Sequence, residues 1–310
     1  MMTDLWMMGA AGAGCLAAAL ARAFFGLSEK EKEFAGESPD CLLWSGGNCY
    51  RADIQQRRCC APEIGMAQTT GNMEIQSDVA ASLTSDAGTM AALADGIGKH
   101  GLGKLCAQIA VDTILDRYEP YQNLQRPEYF FKTAFYEANH RIQEMAGNQR
   151  GGANTGAVFL GDGCLHYGLA GNIKIALFRN GELIPISRGQ TVDVLAEDAW
   201  KDGKLSRQEM LWSLEDRRIW NYVGMDGFHE IETCQPPVKL RRGDVVLLAS
   251  KGIFETLSWA ELEDVLEKSG SVQELAEKII LETEKKVSVE KDNGSIMLFK
   301  IRGWEQDAKD

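Results

Sequence analysis

The chain has 310 residues, of which 45% are hydrophobic and 25% charged, the proportions of a globular protein with a substantial core. Thirty-three Lys and Arg against 45 Asp and Glu leave a net charge of -12, which argues against nucleic acid as a partner because its phosphates need a basic face. The 32 Gly follow no triplet period and only 7 Pro are present, which excludes collagen and a Pro-rich linker protein.

The first 27 residues differ from the rest. Residues 5–21 (LWMMGAAGAGCLAAALA) carry no charge, and after Arg22 the apolar run continues to Leu27. As a helix this stretch would reach ~35 Å, against ~30 Å of hydrocarbon in a bilayer. Residues 1–27 are therefore expected to form a single-pass membrane anchor. Arg22, Lys30 and Lys32 follow the run, and cationic residues favour the cytoplasmic side, so the main domain is expected in the cytoplasm. A cleaved signal or a buried helix are the alternatives; against the signal, no positive charge precedes the run. Residues 28–61 mix charges with turn formers and read as a linker. Eight Cys, among them the adjacent Cys59 and Cys60, lack zinc-type spacing and read as reduced thiols.

A folded domain is expected over 62–303, with 304–310 as a tail. Residues 89–94 (TMAALA) predict a short buried strand that stops at Asp95-Gly96. After a Gly-rich turn, Leu105, Ile109, Ala110, Thr113 and Ile114 recur at helical spacing. Pro127, a favoured first-turn residue, opens a second helix lasting to about Gly147. Residues 153–187 read as an antiparallel meander, its apolar runs separated by Asp162-Gly163 and Asn180-Gly181, both favoured in tight hairpins. Residues 190–222 turn polar and helical, and Ser206 with Glu209 fits a capping box. Residues 245–250 predict another buried strand. Two helices follow, the second opened by Ser271 with Glu274, and residues 295–301 predict a closing strand. Antiparallel strands alternating with helix pairs imply an α+β fold with sheets inside and helices outside.

Gly96, Gly98 and Gly101 spell the glycine pattern of dinucleotide-binding folds, but such a fold needs a parallel strand after the helix. Here a second helix and hairpins follow instead. The alternative reading begins from Asp95. A carboxylate at a strand end, followed by a Gly carbonyl, suits a hard cation. Asp78 ends IQSD upstream and Asp292 opens DNG before the last strand. Gathered in one pocket, these carboxylates would hold one or two Mg²⁺ or Mn²⁺ ions, able to activate water and clamp a phosphoryl group.

Segments QSD (76–78), LADGIGKHGLGK (93–104), GANTGAVF (152–159), YGLAGNIKIALFRNGELIPIS (167–187), LRRGDVVLLASKGIFETLS (240–258) and KDNGSIMLF (291–299) occur in that order. In order and spacing they resemble the motifs of the metal-dependent protein phosphatases, the protein phosphatase 2C family, over roughly residues 65–302. The resemblance implies a four-layer α-β-β-α sandwich of two antiparallel sheets flanked by helix pairs. It implies hydrolysis of phosphoserine and phosphothreonine in protein substrates with Mg²⁺ or Mn²⁺. It assigns Asp95 to bridge two ions and the Gly96 carbonyl to bind one. Asp78 would support that ion through water, and Asp292 would bind the other. His100 would assist protonation of the leaving group, and 190–222 would be a flap near the substrate.

The chain departs from that pattern at the site. Ser250-Lys251-Gly252 stands where the family reads Ser-Asp-Gly, so an ammonium replaces an ion ligand. Asn172 stands where an Asp tied to an accessory ion is usual, whereas Glu255 keeps a carboxylate. No phosphate-gripping Arg precedes the first acidic motif; Glu74 lies in that neighbourhood. Two expectations follow. Lys251 takes the place of one ion by pairing with Asp95 and Asp292, and the domain is either a weak phosphatase or an inactive pseudophosphatase that binds or regulates a phosphoprotein.

Overall fold

A computed structural model describes residues 61–228, 230–287 and 291–303. The expected anchor (1–27), nearly all of the expected linker (28–61) and the tail (304–310) lie outside the described residues. Among the described residues, no helix is long and apolar enough to cross a membrane.

The apolar runs of the chain fold into strands that each bury two faces. In β3 (Gly88–Ile97), Met90, Ala92 and Ala94 face helices, while Ala91 and Leu93 face the opposite sheet. In β10 (Val245–Ala249), Val246 and Leu248 face that same interior, and Val245, Leu247 and Ala249 face a second helical layer. A strand buried on both sides reads as a continuous apolar run, which is why both were recognisable without alternation.

One sheet has the path β2 (Asp78–Ser85), β3, β4 (Gly152–Gly161), β5 (Cys164–Ala170), β8 (Glu232–Thr233), with β9 (Val238–Lys239) also pairing β5. The other runs β1 (Glu63–Thr69), β11 (Gly294–Lys300), β10, β6 (Lys174–Arg179), β7 (Glu182–Pro185). Every pairing among these strands is antiparallel. The dinucleotide reading of the glycine turn therefore fails, since it requires a parallel neighbour. Helices α1 (Leu102–Tyr118) and α2 (Pro127–Ala146) share an apolar core with the first sheet. On the second sheet, the short α5 (Lys251–Phe254), α6 (Trp259–Leu266) and α7 (Val272–Lys285) do the same. The expected α-β-β-α sandwich is thus the observed one.

Three expectations about local structure need correction. Residues 153–187 do not form one meander: β4 and β5 belong to one sheet, β6 and β7 to the other. The chain crosses between sheets at Gly171-Asn172-Ile173, where Gly171 has φ 100°, a conformation an L side chain resists. Strands β1 and β2 were not expected, because their small and polar residues give no apolar run. Within 190–222, only α3 (Val192–Lys201) and α4 (Arg207–Ser213) are helical.

Residues 192–218 cluster as a compact unit of their own. Inside it Ala196, Ala199 and Met210 are buried, and the Ser206–Glu209 capping box opens α4. Its ends are joined by the Val192 amide donating to the Arg218 carbonyl at 2.9 Å.

Candidate active site

The register of the first sheet brings the first two acidic residues together. Asp78, the opening residue of β2, lies directly opposite Asp95 near the end of β3, and Asp95 lies opposite Asn154 on β4. Asp78 is buried, with 3% of its surface exposed. Asp95 keeps part of its surface open. The Asn154 side-chain amide donates to Asp95 Oδ2 at 3.2 Å.

The second sheet supplies the partners of Asp78. Ser250, which follows β10, and Ser295 on β11 each donate a hydroxyl to Asp78 Oδ2 at 2.7 Å. The other oxygen, Asp78 Oδ1, is buried without a hydrogen-bond partner. The adjacent Asn293 ties the same corner together: its Oδ1 accepts from the Ser77 amide at 2.8 Å, and its Nδ2 donates to the Thr70 carbonyl at 3.0 Å.

Electrostatics set this pair apart. Burial pushes the Asp78 carboxyl above the ordinary carboxylate range, although the Ser295 and Ser250 hydroxyls pull it back. Burial likewise pushes Asp95 up, to about 7, with the charges of Asp78 and Asp292 adding to the rise. Two like charges enclosed together favour uptake of a proton or a cation.

Asp292 sits beyond an ammonium. Lys251 Nζ donates to Asp292 Oδ2 at 3.2 Å and stands 3.8 Å from Glu255, one helical turn along. Asp292 Oδ1 accepts from the Asn293 amide at 2.9 Å. The expected pairing of Lys251 with both Asp95 and Asp292 is therefore corrected: its ion-pair partners are Asp292 and Glu255, and Asp95 acts on it only through space. Glu255 is the closer competitor because four residues along a helix lie on one face. Partial burial pulls the Lys251 ammonium down, but Asp292, Glu255 and Asp95 together raise it above its ordinary value.

Two glycines shape the approach to Asp95. A Cβ on Gly96 would lie 2.1 Å from the Gly103 carbonyl oxygen and 2.9 Å from that of Ser77. The start of α1 thereby packs backbone to backbone against the end of β3. Ala153, opposite Gly96, exchanges its hydrogen bonds with Val223 at 2.8 and 3.0 Å. Those bonds turn the Ala153 amide away from the Gly96 carbonyl.

The other expected residues differ in exposure. His100 is exposed in a left-handed turn (φ 53°) before α1. Asn172 is buried, its Oδ1 without a partner. Glu74 is exposed. Ser250 and Ser295 escaped the sequence reading, although a hydroxyl beside an apolar buried strand signals a polar partner.

The donors fit one cation better than two. Asp78 Oδ1 is a buried oxygen lacking a partner, and Asp95 faces it across the strand pair. Both oxygens of Asp292 are already engaged. Among the described residues, no three or more His, Cys, Asp or Glu side chains converge as a ready-made ion cage.

No protein-family profile matches the chain. Two curated relatives do: a "Serine/threonine phosphatase stp" of Listeria welshimeri, 22% identical over 195 residues, covers 61% of this chain and 75% of its own length. The protein of that name in Listeria innocua is 21% identical over the same shares. Among solved structures, the serine/threonine phosphatase of S. agalactiae superposes with a TM-score of 0.68 at 19% identity, covering 77% of this chain and 99% of its own. The Mycobacterium tuberculosis phosphatase PstP/Ppp gives 0.62 at 20% identity, covering 78% and 100%. The catalytic domain of PstP in complex with two manganese ions gives 0.60 at 20% identity, covering 77% and 97%. The chain therefore has the fold of the PPM-type serine/threonine phosphatases, and these likenesses support the resemblance read from its motifs.

Proposed function

We propose that residues 62–303 are a PPM-type phosphatase domain acting on phosphoserine and phosphothreonine in proteins. Asp78, Asp95 and the Gly96 carbonyl would hold one Mg²⁺ or Mn²⁺. The Lys251 ammonium stands where a second ion would lie, and turnover is weak. The observation that carries this reading is Lys251 bound to Asp292 at 3.2 Å, with Asp95 acting on it through space from the pair that it forms with the buried Asp78. The two manganese ions of the similar PstP domain support the choice of ion.

When bound, a divalent ion polarises a phosphoryl oxygen and lowers the pKa of coordinated water. The chain's own residues do the rest. Asp95, held by Asn154, and Asp78, held by Ser250 and Ser295, would hold the ion. Lys251 offers a single positive charge to the phosphoryl oxygens. This is less charge than a second divalent ion would supply. His100 is the proton donor to the departing serine or threonine oxygen.

The same Lys251–Asp292 pair favours a second reading, an inactive pseudophosphatase that binds or regulates a phosphoprotein. Hydrolysis of an aryl phosphate by the full chain in Mn²⁺ separates the two. Slow turnover that Asp95→Ala abolishes establishes the enzyme. Absence of turnover together with retained phosphopeptide binding establishes the pseudophosphatase. Residues 1–27 are proposed to tether the domain by a single pass with its bulk in the cytoplasm. Extraction of the full chain from membranes by alkaline carbonate would refute the tether.

A further inference from the structure

Asp78 owes its orientation to the opposite sheet. It begins β2, the edge strand of its sheet, whereas Ser250 directly follows β10 and Ser295 lies on β11, two interior strands of the other. Ser250 and Ser295 are themselves paired: the Ser250 amide donates to the Ser295 carbonyl at 3.0 Å, and the Ser295 amide donates to Ser250 Oγ at 2.8 Å. That second bond occupies a lone pair of Ser250 Oγ, whose one proton then has two acceptors in reach. Asp78 Oδ2 lies at 2.7 Å and the Asn293 carbonyl at 3.5 Å, so the proton goes to the carboxylate. Ser295 adds its own hydroxyl at 2.7 Å. Both serines are fully buried, at 0% exposure.

Two hydroxyls converging on Oδ2 leave Oδ1 alone unpartnered in the pocket shared with Asp95. Turning the carboxylate about its Cβ–Cγ bond would break both charge-assisted bonds at once. Ser250 also directly precedes Lys251, so one backbone step relates the clamp on Asp78 to the ammonium at Asp292.

We infer that Ser250 and Ser295 are positioning residues: their paired hydroxyls lock Asp78 across the two sheets and set the pocket's affinity for a divalent ion. The inference rests on the metal-binding reading above, and its test separates the two.

Mn²⁺ binding to the full chain is measured by calorimetry and by the electron paramagnetic resonance of free Mn²⁺. Removing a group that orients an ion ligand typically weakens affinity by about 10- to 100-fold, which is the loss expected for Ser250→Ala and for Ser295→Ala. Ser295→Thr, which keeps the hydroxyl, restores most of it. Wild-type affinity in both alanine variants overturns the inference while leaving the metal reading intact. An unaltered chain that takes up no Mn²⁺ overturns the metal reading and the affinity claim together. The clamp itself is then decided in EDTA. The fall in melting temperature caused by Ser295→Ala should shrink when Asp78→Asn is already present, and strictly additive falls would overturn the clamp as well.

Discussion

Lys251→Asp is expected to raise the number of Mn²⁺ ions bound from one to two. The ammonium lies 3.2 Å from Asp292 Oδ2, and a cation bound to that oxygen at ~2.1 Å would sit within about 5 Å of Nζ. Both side chains remain partly open, at 41% and 38% exposure, so an effective dielectric of about 50 is appropriate, midway between the usual protein value and water. A single charge against a double one at about 5 Å then repels by about 3 kcal/mol, on the order of 100-fold in affinity. Lys251→Met removes that repulsion and should uncover a second, weak ion. Lys251→Asp replaces it with an attraction and a ligand oxygen, so the second ion should bind more tightly and hydrolysis of an aryl phosphate should rise. Isothermal titration gives stoichiometry and affinity directly. One ion in all three proteins, or two equally tight ions in the unaltered chain, would refute the claim that Lys251 excludes a cation.

Three further outcomes follow from the same geometry. The carboxyl of Asp95 is raised from 3.8 to about 7 in the folded chain, so the folded state holds the extra proton; without metal, the stability this proton confers is full below about pH 4 and is lost as pH rises toward 7. Melting temperatures in EDTA should accordingly fall between pH 5 and 8 more steeply for the unaltered chain than for Asp95→Asn, and equal slopes would contradict the shift. Gly96→Ala should cost about 2–3 kcal/mol by urea unfolding, because its methyl would sit 2.1 Å from the Gly103 carbonyl oxygen, a backbone atom with nowhere to retreat. Asp244→Ala should cost about 3 kcal/mol: it deprives Arg179 of bonds at 2.9 and 2.7 Å and the Arg241 amide of one at 2.6 Å, which differential scanning calorimetry would register as a lower melting temperature.

Local chemistry made much of the helical framework readable. Pro127 opens α2, and the Ser206–Glu209 and Ser271–Glu274 capping boxes open α4 and α7, since a cap is a contract between residues three apart. A third box, Ser258–Glu261, opens α6 by the same rule. What failed depended on distant partners. β1 is a strand because it pairs with β11 more than 220 residues away, and Gly65 lets the Val272 carbonyl of α7 pack against it, with a Cβ there lying only 2.3 Å from that oxygen; nothing near Gly65 in sequence announces either contact. The exchange of sheets at Gly171 hides inside what reads as one apolar stretch.

The site divides along the same line. That Asp78 and Asp95 meet could be expected from the order of motifs, and strand register delivers it. Which carboxylates Lys251 would choose was a question of reach. Glu255 competes for it at helical spacing, while Asp95, on the other sheet, remains beyond ion-pair distance. The two serines are the more instructive omission. Ser250 and Ser295 border or interrupt runs of Val, Leu, Ile and Met, where a hydroxyl deprived of water must find an acceptor inside the protein. The acceptor they find is the most deeply buried carboxylate of the pocket, and it belongs to the facing sheet. Packing of the two sheets and orientation of the proposed ion ligand are therefore the same contact, so a substitution that shifts β10 against β2 should alter cation binding even when none of the proposed ligands is changed.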